Sequence, residues 1–195
     1  MADTCDFALA QDISMQCDQP QQTGLQNTGW LINFDDIDWD TLVRTDNIVS
    51  KLLLSKNRAY KVVVPGKTPF TGTQVALATG TYINKFTKTA SIVVLDSGPD
   101  VTKKVIDQLA NGRFVFIMEN KYKGADNTNT FEIYGLEQGL TASEMTNDKY
   151  SEDTDGGWAV TLTEENAPSS GVFYFTEDLA TTRAALKSLE TGTAA

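Results

Sequence analysis

Histidine is absent from this chain, and cysteine occurs only twice, at Cys5 and Cys17. Without histidine there is no ordinary Ser-His or Cys-His pair for nucleophilic catalysis. Two thiolates alone make half of a structural zinc site. The two cysteines can close a small loop or stand as separate thiols in a reducing compartment. Cations are few and scattered: 16 Lys and Arg stand against 26 Asp and Glu, for a net charge of −10, and no basic run exceeds Lys103-Lys104. Such a surface repels nucleic acid instead of gripping it. Apolar runs stop far short of the roughly 20 residues that span a bilayer. The sequence Met1-Ala2-Asp3-Thr4-Cys5-Asp6 has neither the basic nor the apolar region of a secretory signal, and no Asn-X-Ser/Thr sequon occurs. Secretory and membrane roles are therefore not expected.

What is present is an apolar fraction of 41 %, enough for a true core, in a pattern of short alternating runs. The stretch from Gly80 to Lys123 reads strand, strand, helix, strand. Tyr82, Asn84 and Phe86 alternate with Ile83 and Lys85, and Ser91–Asp96 follows as a second apolar run. Ser97 is placed to cap a helix over 98–111, with Pro99 in its first turn and Val101, Val105, Ile106 and Leu109 on one face. Asn111-Gly112 ends it, where a residue with positive φ is easily placed. Arg113–Glu119 reads as a buried strand.

Around this unit the chain predicts strands at Trp30–Phe34, Asn47–Leu54, Tyr60–Val64, Thr130–Leu136, Gly139–Met145 as a partner to that strand, Trp158–Thr163 and Val172–Phe175. Trp158, Val160 and Leu162 form one face and Ala159, Thr161 and Thr163 the other. Pro65–Thr79 has two prolines, two glycines and no clear period, so it reads as a long loop or a partly formed hairpin, and Glu164–Gly171 reads as a turn. Thr176-Glu177-Asp178 opens a terminal helix carrying Leu179, Ala184, Leu186 and Leu189. The expected class is mainly β: a β-sandwich or partly closed barrel with one flanking α-helix, a C-terminal helix and an extended N-terminal arm. The arm covers 1–29, the sandwich 30–176, and the C-terminal helix and tail 177–195.

Five groups of residues invite a chemical reading. Gly66-Lys67-Thr68 ends like a phosphate-binding loop, yet the glycine required five residues earlier is Lys61, and Pro69 blocks the helix that should follow. Asp36, Asp38 and Asp40 have the spacing of a calcium loop, but Thr41 and Asn47 stand where the glycine and the bidentate glutamate belong. A solvated acidic turn is the expectation there, and an acidic loop is the expectation at Glu152–Gly157. The pairs Asp35-Asp36 and Glu164-Glu165 have the composition of glycosidase carboxylates. Trp158, Phe173, Tyr174 and Phe175 would suit a sugar-stacking surface, although strand-spaced aromatics more often serve a core or a subunit contact. No catalytic, cofactor-binding or metal-binding residue is assigned, and no enzyme activity is expected.

The segments Val94-Leu95-Asp96-Ser97-Gly98-Pro99-Asp100, Phe131–Leu140 and Asp153-Thr154-Asp155-Gly156-Gly157-Trp158-Ala159-Val160-Thr161-Leu162-Thr163 carry a resemblance. From about Trp30 to Phe175 the chain resembles virion structural proteins of tailed bacteriophages that infect Bacteroidetes-type bacteria. Its element order is similar to the tail-tube fold. That resemblance implies a homo-oligomer of hexameric rings stacked into a DNA conduit, in contact with other tail or head proteins. It implies a location in the virion tail after synthesis in the host bacterial cytoplasm. It implies neither a cofactor, a membrane, nor specific nucleic-acid binding. The segments offered for contact are the arm, Pro65–Thr79 and Ser143–Gly157, with Pro65, Pro69, Phe70, Val75, Leu77 and Trp158 as candidate inter-subunit residues. The alternatives are another virion component (capsid decoration, head fibre or connector) and a carbohydrate-binding β-sandwich module.

Overall fold

The computed structural model describes residues 8–14, 17 and 20–192. Among the described residues eleven strands form two sheets. The large sheet holds β1 (Leu25–Asn33), β2 (Val43–Thr45), β3 (Ile48–Lys51), β4 (Tyr60–Val63), β7 (Phe114–Asn120), β8 (Phe131–Tyr134) and β11 (Val172–Tyr174), in the order β2-β3-β11-β8-β7-β1-β4. The small sheet holds β5 (Phe70–Ala78), β6 (Lys85–Val94), β9 (Thr141–Asn147) and β10 (Trp158–Ala167), in the order β5-β6-β10-β9. Only β3 and β11 pair parallel; the other pairs are antiparallel. The fold is sandwich-like, and neither sheet closes into a barrel among the described residues.

The layering follows from strand alternation. On β7, Phe114, Phe116 and Met118 point into the space between the sheets, where they meet Leu31, Ile92, Val160 and Leu162. Val115 and Ile117 point the other way, toward Trp30, Ile32, Leu186 and Leu189. The second core lies under the C-terminal helix Leu179–Thr191. Asp178 caps that helix by accepting the amide of Thr181 at 2.7 Å. Trp30 Nε1 donates to Glu190 at 2.7 Å, and Arg183 pairs with Glu119 at 2.6 Å. The order is thus helix, large sheet, small sheet. Ala184 is exposed, and Thr182 takes the buried place in its stead.

Several expectations are corrected. The two strands read into 82–96 are one strand, β6; the segment before it is a turn that leaves Tyr82 fully exposed. Of the two readings of Pro65–Thr79, the loop misses β5 and the hairpin is nearer, since β5 pairs antiparallel with β6 from Phe70 to Ala78. Here the tertiary partner overrides a run with weak strand propensity. β1 begins at Leu25, so the boundary of the arm at 29 cuts through it. The partner of β9 is β10 in the other sheet, not β8. The supposed turn at Glu164–Gly171 includes the end of β10, which runs on to Ala167.

The helical segment 99–111 contains a π turn, Thr102–Ile106, between the α turns Pro99–Val101 and Asp107–Asn111. The extra residue in that turn rotates the apolar face. Ile106 and Leu109 are buried while Val105 points to solvent. Gly98, not Ser97, is the N-cap, and its amide donates to Asp96 at 2.9 Å. Gly112 is extended, with φ −89°. Glycine is needed there because a Cβ would collide with the Phe114 ring.

Candidate functional site

Two features stand out, a buried charged layer and an uncovered hairpin, and both lie along β6. From Val94 toward Lys85, Ile92 and Ala90 sit in the sandwich core. Lys88 is the next residue on the same face, and it is only 1 % exposed. Directly opposite on β10 is Glu164, which is 0 % exposed. Lys88 Nζ lies 3.7 Å from Glu164 Oε2 and 3.5 Å from Glu137 Oε2. Arg44 Nη1 donates to Glu137 Oε1 at 2.8 Å, and Ser169 Oγ donates to the same oxygen at 2.7 Å. The Glu164 carboxylate accepts three backbone amides of one turn: Gly135 at 2.8 Å, Glu137 at 3.1 Å and Gln138 at 2.8 Å. Gly135 and Gly139 bracket that turn with φ of 84° and 82°, a region that favours glycine.

The layer distributes charge unequally. Burial pushes the Glu137 carboxyl upward. Bonds from Ser169 and Arg44 and the charge of Lys88 outweigh that push, so it titrates below the ordinary carboxylate range. Burial holds Glu132 above that range, against a bond from Asn120 and the charge of Lys88. Burial, and then the charge of Glu132, raise the Tyr134 phenol.

Sequence reasoning missed this layer. The signal for it is a cation and a carboxylate standing in phase with the apolar set of an alternation. Lys88 continues Ala90 and Ile92, and Glu164 continues Val160 and Leu162.

Beyond the charged layer the β5–β6 hairpin leaves the large sheet behind. Leu77 is 60 % exposed and Tyr82 is 100 % exposed, with Val75 and Ile83 also open to water. β5 is an edge strand of nine residues with no charged side chain. The face of the small sheet turned away from the core is rich in hydroxyls. Ser91 Oγ and Thr161 Oγ1 lie 3.1 Å apart, and Ser143 Oγ and Thr163 Oγ1 lie 2.8 Å apart. At the opposite end of the sandwich, a groove of about 1110 Å³ opens between β4, the end of β6 and the 99–111 helix. Tyr60, Val63, Leu95 and Val105 expose apolar surface on or beside it.

The six sequence-predicted contact residues are not brought together. Val75 and Leu77 sit on the exposed hairpin, and Pro65 lies at a turn on the rim of the groove. Pro69 is buried, and Phe70 belongs to the core with its ring 5.6 Å from that of Phe116. Trp158 is half-buried against the same core. Pro69 and Phe70 therefore offer little surface to a neighbour.

The remaining chemical readings disperse as well. The Gly66 turn leads into β5 and not into a helix. Asp36 is not solvated: it is buried, accepting amide groups from Asn33 at 2.6 Å and Asn57 at 2.9 Å. Asp35 points out to Arg113 at 2.9 Å. Glu164 points inward and Glu165 outward. Trp158 and the 173–175 aromatics lie on different sheets, with Tyr174 buried. Among the described residues no three His, Cys, Asp or Glu side chains are grouped as for a metal ion, and no helix is long and apolar enough to cross a membrane. Cys5 lies outside the described residues, so its pairing with Cys17 is not addressed; Cys17 is exposed.

These features define a two-sheet β-sandwich with an uncapped, uncharged edge. Comparison of the chain with protein-family models, curated proteins and solved structures gave no match.

Proposed function

We propose that this chain is a structural subunit of a phage virion, with the tail tube as its place. The single observation that carries this reading is the unfinished hairpin. An edge strand free of charge and proline, beside exposed Val75, Leu77, Tyr82 and Ile83, is a surface that a protein acting alone would ordinarily blunt. The opposite edge of the small sheet, β9, carries one charged side chain, Glu144. Joining β5 of one copy to β9 of the next is a heterologous contact, and a heterologous contact closes into rings when its rotation permits. The hairpin tip then reaches along the ring axis toward an adjacent ring.

In this arrangement the hydroxyl face of the small sheet lines the passage. Thr87, Thr89, Ser91, Thr161 and Thr163 line it with hydroxyls, Lys85 at the hairpin end is the one cation of β6 in phase with them, and the net charge of −10 adds repulsion toward DNA phosphates. Other head or tail proteins are the expected further partners.

Negative-stain micrographs and sedimentation of the purified protein test the reading. Rings or tubes that disappear in Leu77→Lys/Tyr82→Ser support it. A monomer or small oligomer that binds only capsids moves the chain to a decoration or connector role. Saturable glycan binding lost in Trp158→Ala overturns it in favour of a carbohydrate-binding module.

A further inference from the structure

Lys88 and Glu164 oppose each other in register on adjacent strands, both inside the sandwich. Their separation of 3.7 Å, and that of Lys88 from Glu137 at 3.5 Å, exceed the roughly 2.7–2.9 Å of a charge-assisted hydrogen bond. The Lys88 nitrogen is thus an ion-pair partner of both carboxylates but stands beside Glu164 at van der Waals distance, not bonded to it, and desolvation of the pair is costly.

The surroundings contain the parts of an acyl-transfer centre. Oε1 of Glu164 receives the amides of Gln138 at 2.8 Å and Glu137 at 3.1 Å, two donors converging on one oxygen as in an oxyanion hole. Oε2 receives the amide of Gly135 at 2.8 Å. Glu137 flanks the Lys88 nitrogen and is held by Arg44 and Ser169. Nucleophile, acyl carbon, oxyanion donors and a proton carrier are held together on strands and one tight turn.

We propose that Lys88 and Glu164 condense into an intramolecular isopeptide bond, with Glu137 carrying protons between them. Glu137 first moves one proton from the Lys88 ammonium to Oε2 of Glu164, which leaves an amine and a carboxylic acid. Nζ attacks Cδ, the N–C bond forms, and the negative charge falls on Oε1 between the two amides. A second proton passes from nitrogen through Glu137 to Oε2. The Cδ–Oε2 bond breaks and the oxygen departs as water. The ammonium loses two protons, the departing oxygen gains both, and no oxidant, reductant or further reactant is consumed. Fixed proximity supplies the effective concentration. Condensation to a neutral amide removes both charges from a costly site, and burial keeps hydrolytic water away. The product ties β6 to β10 covalently.

This inference is independent of the assembly reading, and mass spectrometry of the denatured full chain tests it. The expected mass is one water below that of the sequence, with a proteolytic peptide in which residues 88 and 164 are linked. Lys88→Arg abolishes the linked peptide. Glu137→Gln, which keeps both reacting side chains, slows its formation on the order of 100-fold. An unmodified mass overturns the proposal, as does a water loss that maps elsewhere, such as succinimide formation at Asp155-Gly156. If either variant fails to fold, the linked peptide in the natural chain still decides.

Discussion

The two sheets solve the burial problem differently. The large sheet is covered on both faces, by the C-terminal helix on one side and the small sheet on the other, and its interior strand β7 is an unbroken apolar run from Phe114 to Met118. The small sheet is covered on one face only. Its strand β10 alternates, with Val160 and Leu162 inside and Thr161 and Thr163 half-exposed. A sheet covered twice has no open face left for a partner, only its edges β2 and β4. The small sheet keeps a face, two edges and a hairpin, and that is where an assembly contact has to be sought.

The sharpest way to break the comparison is to cut into each sheet in turn. Phe116→Ala in β7 removes a ring that is fully buried and packed on Phe70. It is expected to cost about 3–5 kcal/mol in denaturant unfolding. Gly29→Ala is next. Gly29 lies on β1, and a Cβ there would stand 2.8 Å from the Phe116 ring and 2.9 Å from that of Phe70. Overpacking of this kind costs about 1–3 kcal/mol, read as a shift in the unfolding midpoint at constant slope.

Glu132→Gln acts in the opposite direction. The folded protein holds Glu132 above its ordinary titration range, so the folded state binds its proton more tightly than the unfolded chain does. The ionised carboxylate therefore weakens the fold at neutral pH. That penalty fades as pH falls through the raised value toward the ordinary one. The variant is expected to melt higher than the natural chain at pH 7, with the difference closing as the pH drops to about 4. Thermal unfolding across pH checks this, and a constant difference would contradict it. Smallest of all is Thr163→Ala on the open face, where the loss of one hydroxyl pair is expected to change stability by no more than about 0.5 kcal/mol.

The same contrast explains what was legible in the sequence. Phe114–Met118 and Trp158–Leu162 announce themselves through their periods, and Asp178 marks the start of the last helix as a cap. β5 is hidden because Pro65, Gly66, Pro69 and Gly72 signal a loop, and what makes a strand of Phe70–Ala78 is its neighbour β6. The sheet to which β9 belongs depends on a pairing with β10 across the 148–157 loop, and no local period encodes that pairing. The π turn at Thr102–Ile106 moves Val105 off the face that regular helical spacing assigns to it. In the charged layer, Lys88 and Glu164 were readable as members of an apolar alternation. Glu137 was not, because a loop brings it there.

Backbone hydrogen exchange, measured strand by strand at low and high protein concentration, tests the central claim most directly. If copies complete one another through the small sheet, the outward amides of β5 and β9 exchange quickly in dilute protein and become protected together as the concentration rises. The edges of the large sheet, β2 and β4, stay unchanged. Equal, concentration-independent exchange at all four edges, in a particle that remains monomeric, would contradict it.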